Sequence, residues 1–306
     1  MVSFSFESAL EYLNNFNVVA IPTETVYGLA ANGLSDQAVA KIYSLKNRPQ
    51  FNPLIMHVPS IEMVENWAVV TKLARKLMQE FWYERGASIS FVLNLKENHP
   101  LSLLALAGLG TVAVRRPNHE AAIKILENLN FPLAAPSANR SNSLSPTSAY
   151  HVLQSLGEHV PVLDGGNCAV GLESTIVDLT QDKITILRLG SVTALDLAEF
   201  GTANTITDGA VKAPGMLKRH YAPNLMLKMN VIEKEPGMVL LGFGNCKDAD
   251  LNLSESANLV EAAANLFSYL HKIDDSSFSS IGVSPIPDYG IGEAINDRLK
   301  RACAND

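Results

Sequence analysis

The stretch Ile21-Pro22-Thr23-Glu24-Thr25-Val26-Tyr27-Gly28-Leu29 decides how this chain of 306 residues is read. The apolar run Val18 to Ile21 before it forms a short buried strand, and Thr-Glu-Thr follows at once. Two hydroxyls and a carboxylate at a strand end stand where open α/β sheets bind their ligands. Taken alone, the triplet is also an ordinary capped turn whose hydroxyls close on nearby backbone. Its surroundings have to choose.

Outward from it, helical and strand periodicities alternate. Phe6, Leu10, Leu13 and Phe16 make a helical stripe, and Ser35 or Asp36 caps a helix carrying Val39, Ile42 and Leu45. Pro53 to Val58 reads as strand, and Leu73, Leu77 and Phe81 mark a helix. Ser88 to Leu95 and Thr111 to Arg115 are strands, Ala121 to Leu129 is helical, and Leu133 to Ala135 is a brief strand. Ser145-Pro146 predicts a helix start, and Thr175 to Leu179 with Ile184 to Leu189 a hairpin. The pattern is an α/β domain on a mixed sheet over residues 1–206. Pro214, Gly215 and Pro223 break it, so residues 207–226 read as a linker. A second, small α/β unit over 227–306 follows from strands at Met238 to Phe243 and Ser280 to Val283 and helices at Ala257 to Leu270 and Gly292 to Ala302, an order that implies three layers.

Composition excludes several classes. Hydrophobic residues make up 47% and charged residues 18%, which suits packed domains rather than disorder. The most apolar run, Leu101 to Val114, is too short and too interrupted to span a bilayer, and no signal peptide is read at Met1 to Glu7. Cys168, Cys246 and Cys303 form no Cys-x-x-Cys pair, so a reduced, cytoplasmic protein without zinc is expected. The net charge of −7 divides almost evenly along the chain and argues against strong direct binding of nucleic acid. Anions must be held by local clusters of cations.

Such clusters exist. Lys46 and Arg48 leave the end of a helix, with Asn52 and His57 flanking the next strand. Arg115 and Arg116 end an apolar strand and must point to opposite faces, so one faces inward. Ala134 to Pro146 offers Ser137, Asn139 and Ser145 among small residues that allow close backbone approach. Glu173-Ser174-Thr175 and Arg188 fall on the last two strands. No P-loop is present, and Gly108-x-Gly110-x-x-Ala113 leads into a strand rather than a helix, so it is a turn and no dinucleotide fingerprint.

Taken together, these segments resemble the YrdC-like family. Thr-Glu-Thr-Val-Tyr-Gly-Leu, Lys46-x-Arg48-Pro with Asn52-Pro-Leu, Ser137-x-Asn139 and Gly-x-Glu-Ser-Thr-Ile come in the family's order and spacing. Ala213-Pro-Gly-Met-x-x-Arg-His-Tyr-Ala-Pro223 and Gly290-Ile-Gly-x-Ala-Ile-x-x-Arg-Leu299 look like its two-domain threonylcarbamoyl-AMP synthases. Asn47 stands where that family often has Gly, and residues 227–306 are short for the two-domain type.

The resemblance implies a YrdC-like twisted mixed sheet with a concave active-site crevice, then a linker and a small Rossmann-like domain. It implies condensation of L-threonine, bicarbonate and ATP to L-threonylcarbamoyladenylate, for a downstream transferase that modifies tRNA. Lys46 and Arg48 resemble the catalytic pair. Thr25, His57, Arg115, Ser174 and the backbone at Ala135 resemble threonine contacts. Arg48, Asn52, Thr111, Ser137, Asn139, Ser145, Arg188 and Tyr221 resemble ATP contacts, and Arg219, His220 and Tyr221 suggest a lid. Mg²⁺ is expected to be held mainly by phosphate oxygens, with no protein metal site. Two rivals stand beside this reading: a hydrogenase-maturation carbamoyltransferase, which needs upstream zinc-binding cysteines, and an RNA-binding protein, which needs a basic aromatic face.

Overall fold

A computed structural model describes residues 4–181, 183–206, 214, 219–274 and 277–304. Nine strands form the first sheet: β1 (Val19–Ile21), β2 (Gly28–Asn32), β3 (Ile55–His57), β4 (Ile89–Asn94), β5 (Thr111–Arg115), β6 (Leu133–Ala134), β7 (Thr175–Asp178), β8 (Ile184–Arg188) and β9 (Ala203–Thr205). Their order is β1-β2-β6-β3-β5-β4-β7-β8-β9. The pairs β3–β5, β4–β7 and β8–β9 are parallel and the others antiparallel, so the sheet is mixed. The decisive turn after β1 leads straight into β2, a strand that sequence periodicity did not show because all five of its residues are buried.

The helices begin where short polar side chains offer caps. Ser5 accepts from the amide of Ser8 at the head of Phe6–Asn14, and Ser35 from that of Ala38 at the head of Asp36–Lys46. Phe16, read as part of the first helical stripe, lies past that helix at φ 57° and is exposed. The helix expected at Ser145-Pro146 starts three residues later, at Ala149, with Ser148 as its cap. The reason is competition: the Ser145 hydroxyl is taken by Glu173 and the Pro146 carbonyl accepts from the Tyr27 amide.

The second sheet is all parallel, in the order β10-β13-β11-β12, with β10 (Met226–Met229), β11 (Met238–Gly242), β12 (Leu251–Asn252) and β13 (Ser280–Val283). Residue 226, read as the linker's end, already belongs to β10. Most of residues 207–218 lie outside the described residues; Pro214 and residues 219–225 do not. The helices Leu259–Asp274 and Ile291–Cys303 pack against each other.

The two halves share apolar contact. Val26, Leu144 and Leu172 of the first half join one buried cluster with Leu266, Phe267 and Leu299 of the second. Gly171, at φ +73°, lies against the backbone of the helix Leu259–Asp274, where an added Cβ would come 2.6 Å from Ala264 Cα. The contact needs glycine.

Candidate active site

Parallel strands β3 and β5 end side by side, so His57 and Arg115 are register partners, and antiparallel β6 sets Leu133 beside His57. The Ala135 amide then bonds to the Ile55 carbonyl. Strand ends, the turn after β1 and the loop after β6 thus enclose one crevice, lined by Arg48, His57, Arg115, Ala135, Ser137, Arg188 and Tyr221 among others. Its described cavity is about 50 Å³. A broader open groove of about 870 Å³ runs between the halves past Tyr150, His151 and His271, but the buried arginines do not converge on it.

The cations are buried and each is anchored. Arg48 donates from Nε to Asn52 O at 3.2 Å and from Nη2 to Pro53 O at 3.0 Å. Burial lowers its pKa to about 10, which leaves it charged at neutral pH. Arg188 donates from Nε to Ser174 O at 3.0 Å and from Nη2 to Ser174 Oγ at 3.1 Å, and burial pulls its pKa down as well. Arg115 is the inward-facing member of its pair and bonds Glu24, whereas Arg116 bonds Pro59 O and stacks over Tyr83. Lys46 is fully buried and donates to Ser137 O and Asn139 O at 2.5 Å each. Burial, with help from the charge of Arg48, holds its amine well below the usual lysine range. It sits behind the loop it ties down and does not line the crevice.

Asn47, following Lys46, adopts φ 50°, a left-handed helix end that asparagine tolerates nearly as well as glycine. The departure at this position therefore leaves the turn intact. His57 faces Ile55 O through Nδ1 at 3.3 Å, and burial, then the nearby Arg115 charge, pushes its pKa down to about 3. It is a neutral imidazole at physiological pH.

Several polar atoms are left with no partner among the described residues: Asn52 Oδ1, Asn139 Oδ1, Arg115 Nε, Glu24 Oε2 and the Tyr221 hydroxyl. Buried groups of this kind are uncommon, and a bound ligand is one way to satisfy them. Thr25 is closed on Thr23 at 2.9 Å and Ser174 on Ser90 at 2.8 Å. Thr111 opens β5, roughly 13 Å along the strand from Arg115 by the usual rise, and does not line the crevice.

Three residues given no role from the sequence also belong here. Glu24 bonds Arg115 and Ser88. Glu173 accepts from Ser145 and from Arg298, and Arg298 comes from the last helix of the second half. The signal was present, since Glu24, Glu173 and Arg298 each stand inside a quoted motif.

A crevice at parallel strand ends, walled by buried arginines, is that of an α/β enzyme that gathers anionic substrates. A family model described as "Telomere recombination" (Sua5_yciO_yrdC) matches residues 11–190, and "Threonylcarbamoyl-AMP synthase, C-terminal domain" matches residues 184–304. The chain is 35% identical to the threonylcarbamoyl-AMP synthase of Pyrococcus abyssi, over 96% of this chain and 92% of that one. It is equally identical to that of Bacillus subtilis, over 96% and 91% of the two chains. The crystal structure of P. abyssi Sua5 complexed with L-threonine superposes with a TM-score of 0.88 at 34% identity, covering 97% of this chain and 94% of that one. The chain belongs to the two-domain threonylcarbamoyl-AMP synthases, which are nucleotidyltransferases. Among the described residues no helix is long and apolar enough to cross a membrane.

Proposed function

We propose that this crevice condenses L-threonine, bicarbonate and ATP into L-threonylcarbamoyladenylate and pyrophosphate, as the family's name describes, for transfer to tRNA by a downstream enzyme. The observation that carries the reading is the charge pattern. Arg48, Arg115 and Arg188 meet at one crevice; Glu173, which lines it, is already paired with Arg298, and Glu24, beside it, with Arg115.

The threonine ammonium gives a proton to bicarbonate, which splits into water and carbon dioxide; the neutral amine attacks the carbon dioxide, releases a proton to solvent and becomes an N-carboxylate. That carboxylate attacks the α-phosphorus of ATP, the bond to the β-phosphate oxygen breaks, and pyrophosphate leaves. Two anions must approach, so cations fixed in place supply the main stabilisation. Arg115 and neutral His57, with the Ala135 backbone, Thr25 and Ser174, take threonine. Arg48 and Arg188 take ATP with Ser137, Asn139, Ser145, Asn52 and Tyr221. Lys46 serves by fixing the loop at Ser137 and Asn139.

Mg²⁺ enters with ATP as part of the substrate. Glu24 and Glu173 each bind an arginine. A cytoplasmic setting is supported by Cys168, Cys246 and Cys303, all free thiols.

A cavity of about 50 Å³ holds a few waters and is too small for ATP and threonine together. Tyr221 lines this cavity, and its segment serves as a lid that moves outward to admit ATP and threonine. Pyrophosphate release with each substrate omitted in turn tests the whole reading. Release that needs threonine and bicarbonate together supports it; equal release from ATP alone contradicts it.

A further inference from the structure

The reaction as written uses only residues before position 222, yet a side chain of the second half pairs with a residue that lines the crevice. Arg298, 1% exposed, donates from Nε to Glu173 Oε2 at 2.9 Å. Its other nitrogens are fixed by Asp297 at 2.7 Å and by Leu189 O at 2.8 Å. The face of the guanidinium lies 5.1 Å from the centre of the Tyr221 ring. Glu173 lines the crevice and also accepts from Ser145, a residue assigned here to ATP.

A pair buried this deeply is a costly way to hold two domains together, since an apolar pair of the same size does that as well or better. The shared apolar cluster already provides such a contact. What an apolar pair cannot do is cancel a negative charge beside a polyphosphate. Glu24, a buried carboxylate bonded to the crevice residue Arg115, is balanced in the same way from its own domain.

We propose that Arg298 is a residue through which the second domain acts on the reaction: it neutralises Glu173 and holds it toward Ser145, so that ATP meets no uncompensated negative charge at that wall. Arg298 is a positioning residue, and the inference rests on the reading that the crevice binds ATP. Burial by itself would raise the Glu173 pKa; the charges of Arg298 and Arg188 outweigh it and keep the carboxyl ionised. Without Arg298, Glu173 is left as a buried anion facing the phosphates or has to take up a proton.

The test measures KM for ATP and for threonine, with thermal melts, in full-length wild type, Arg298→Met, Arg298→Lys, Glu173→Gln and the Arg298→Met/Glu173→Gln double variant. Methionine keeps the volume and removes the charge. The Arg298→Met chain is expected to raise the ATP KM by about 10-fold or more, as for one lost partner of a buried charge pair. The threonine KM should change much less, and the ATP KM should climb with pH as Glu173 loses its proton. Glu173→Gln keeps an acceptor for Ser145 and should raise the ATP KM less than Arg298→Met does, and the double variant should return to within about 3-fold of the Glu173→Gln value. Arg298→Lys should recover part of the loss. If Arg298→Met fails to fold, the Glu173→Gln and double variants still decide the matter. An unchanged ATP KM in folded Arg298→Met, a double variant as poor as the single, or an equal defect in Glu173→Gln would make Arg298 a structural clasp and overturn the proposal. Wild type that releases no pyrophosphate with threonine and bicarbonate present removes the ATP reading, and the proposal falls with it.

Discussion

Arg115 Nη2 lies 2.5 Å from Glu24 Oε1, and both side chains are almost wholly buried. Arg115, proposed above to hold threonine, therefore arrives already balanced, with Nε left over. Burial tends to raise the Glu24 pKa, and the charge and hydrogen bond of Arg115 reverse that and keep it ionised. One group thus does two jobs, holding a buried carboxylate and presenting a donor to the crevice.

Arg115→Ala should accordingly cost stability as well as threonine binding. Leaving Glu24 charged and unpaired is expected to cost about 3–5 kcal/mol in urea unfolding. Adding Glu24→Gln should restore most of that stability while the threonine KM stays high. If stability and threonine binding recover together, Arg115 has no separate part in binding.

Gly171→Ala tests the join between the halves. The new Cβ falls 2.6 Å from Ala264 Cα, and the backbone at φ +73° disfavours any L side chain. The expected loss is about 2 kcal/mol or more, seen as a lower unfolding midpoint. An unchanged midpoint would mean that the helix Leu259–Asp274 is free to shift. The same contact bears on truncation: a chain ending near residue 206 exposes Val26, Leu144 and Leu172 and strips Glu173 of Arg298, so point variants are the cleaner probes.

Much of this was legible in the sequence, for stated physical reasons. Alternation and capping revealed most strands and helices, and Arg115-Arg116 foretold one inward arginine because strand neighbours face opposite ways. What escaped was whatever depended on distant partners. Strand β2 lacks alternation because it is buried throughout. The helix after Ser145 starts late because Ser145 answers Glu173 instead of its own backbone. Arg298 stood inside a recognised motif, but nothing local said that its partner lies 125 positions earlier. Lys46 was expected to be catalytic from its motif, and nothing local said that it bonds Ser137 O and Asn139 O.

Tyr221 tests the lid. It is 1% exposed, its ring packs with Phe267 at 5.6 Å, and its hydroxyl has no partner among the described residues. Tyr221→Phe should leave the melting temperature unchanged or slightly raised, since an unsatisfied buried hydroxyl is removed. The ATP KM should rise several-fold, as for a neutral hydrogen bond worth about 1 kcal/mol. An unaltered ATP KM would reduce Tyr221 to a packing residue.

His57 sets a pH dependence. Its folded pKa of about 3 lies below its unfolded value, so the unfolded chain takes up the proton first as pH falls. Its stabilising contribution is complete above about pH 6.5 and is lost on acidification, by at most about 1.4 kcal/mol per pH unit, down toward pH 3. His57→Gln should flatten that part of the stability profile relative to wild type. A profile with the same slope would show that His57 is not the group responsible.

The account's central claim is that threonine, bicarbonate and ATP are joined in one crevice. Mass spectrometry of the product formed from ATP, L-threonine and ¹³C-bicarbonate tests it most directly. The account predicts a threonylcarbamoyl adenylate one mass unit heavier than the product from unlabelled bicarbonate, absent when threonine is omitted and strongly reduced in folded Arg48→Ala. An adenylate of threonine without the added carbon, or ADP as the sole nucleotide product, would contradict it.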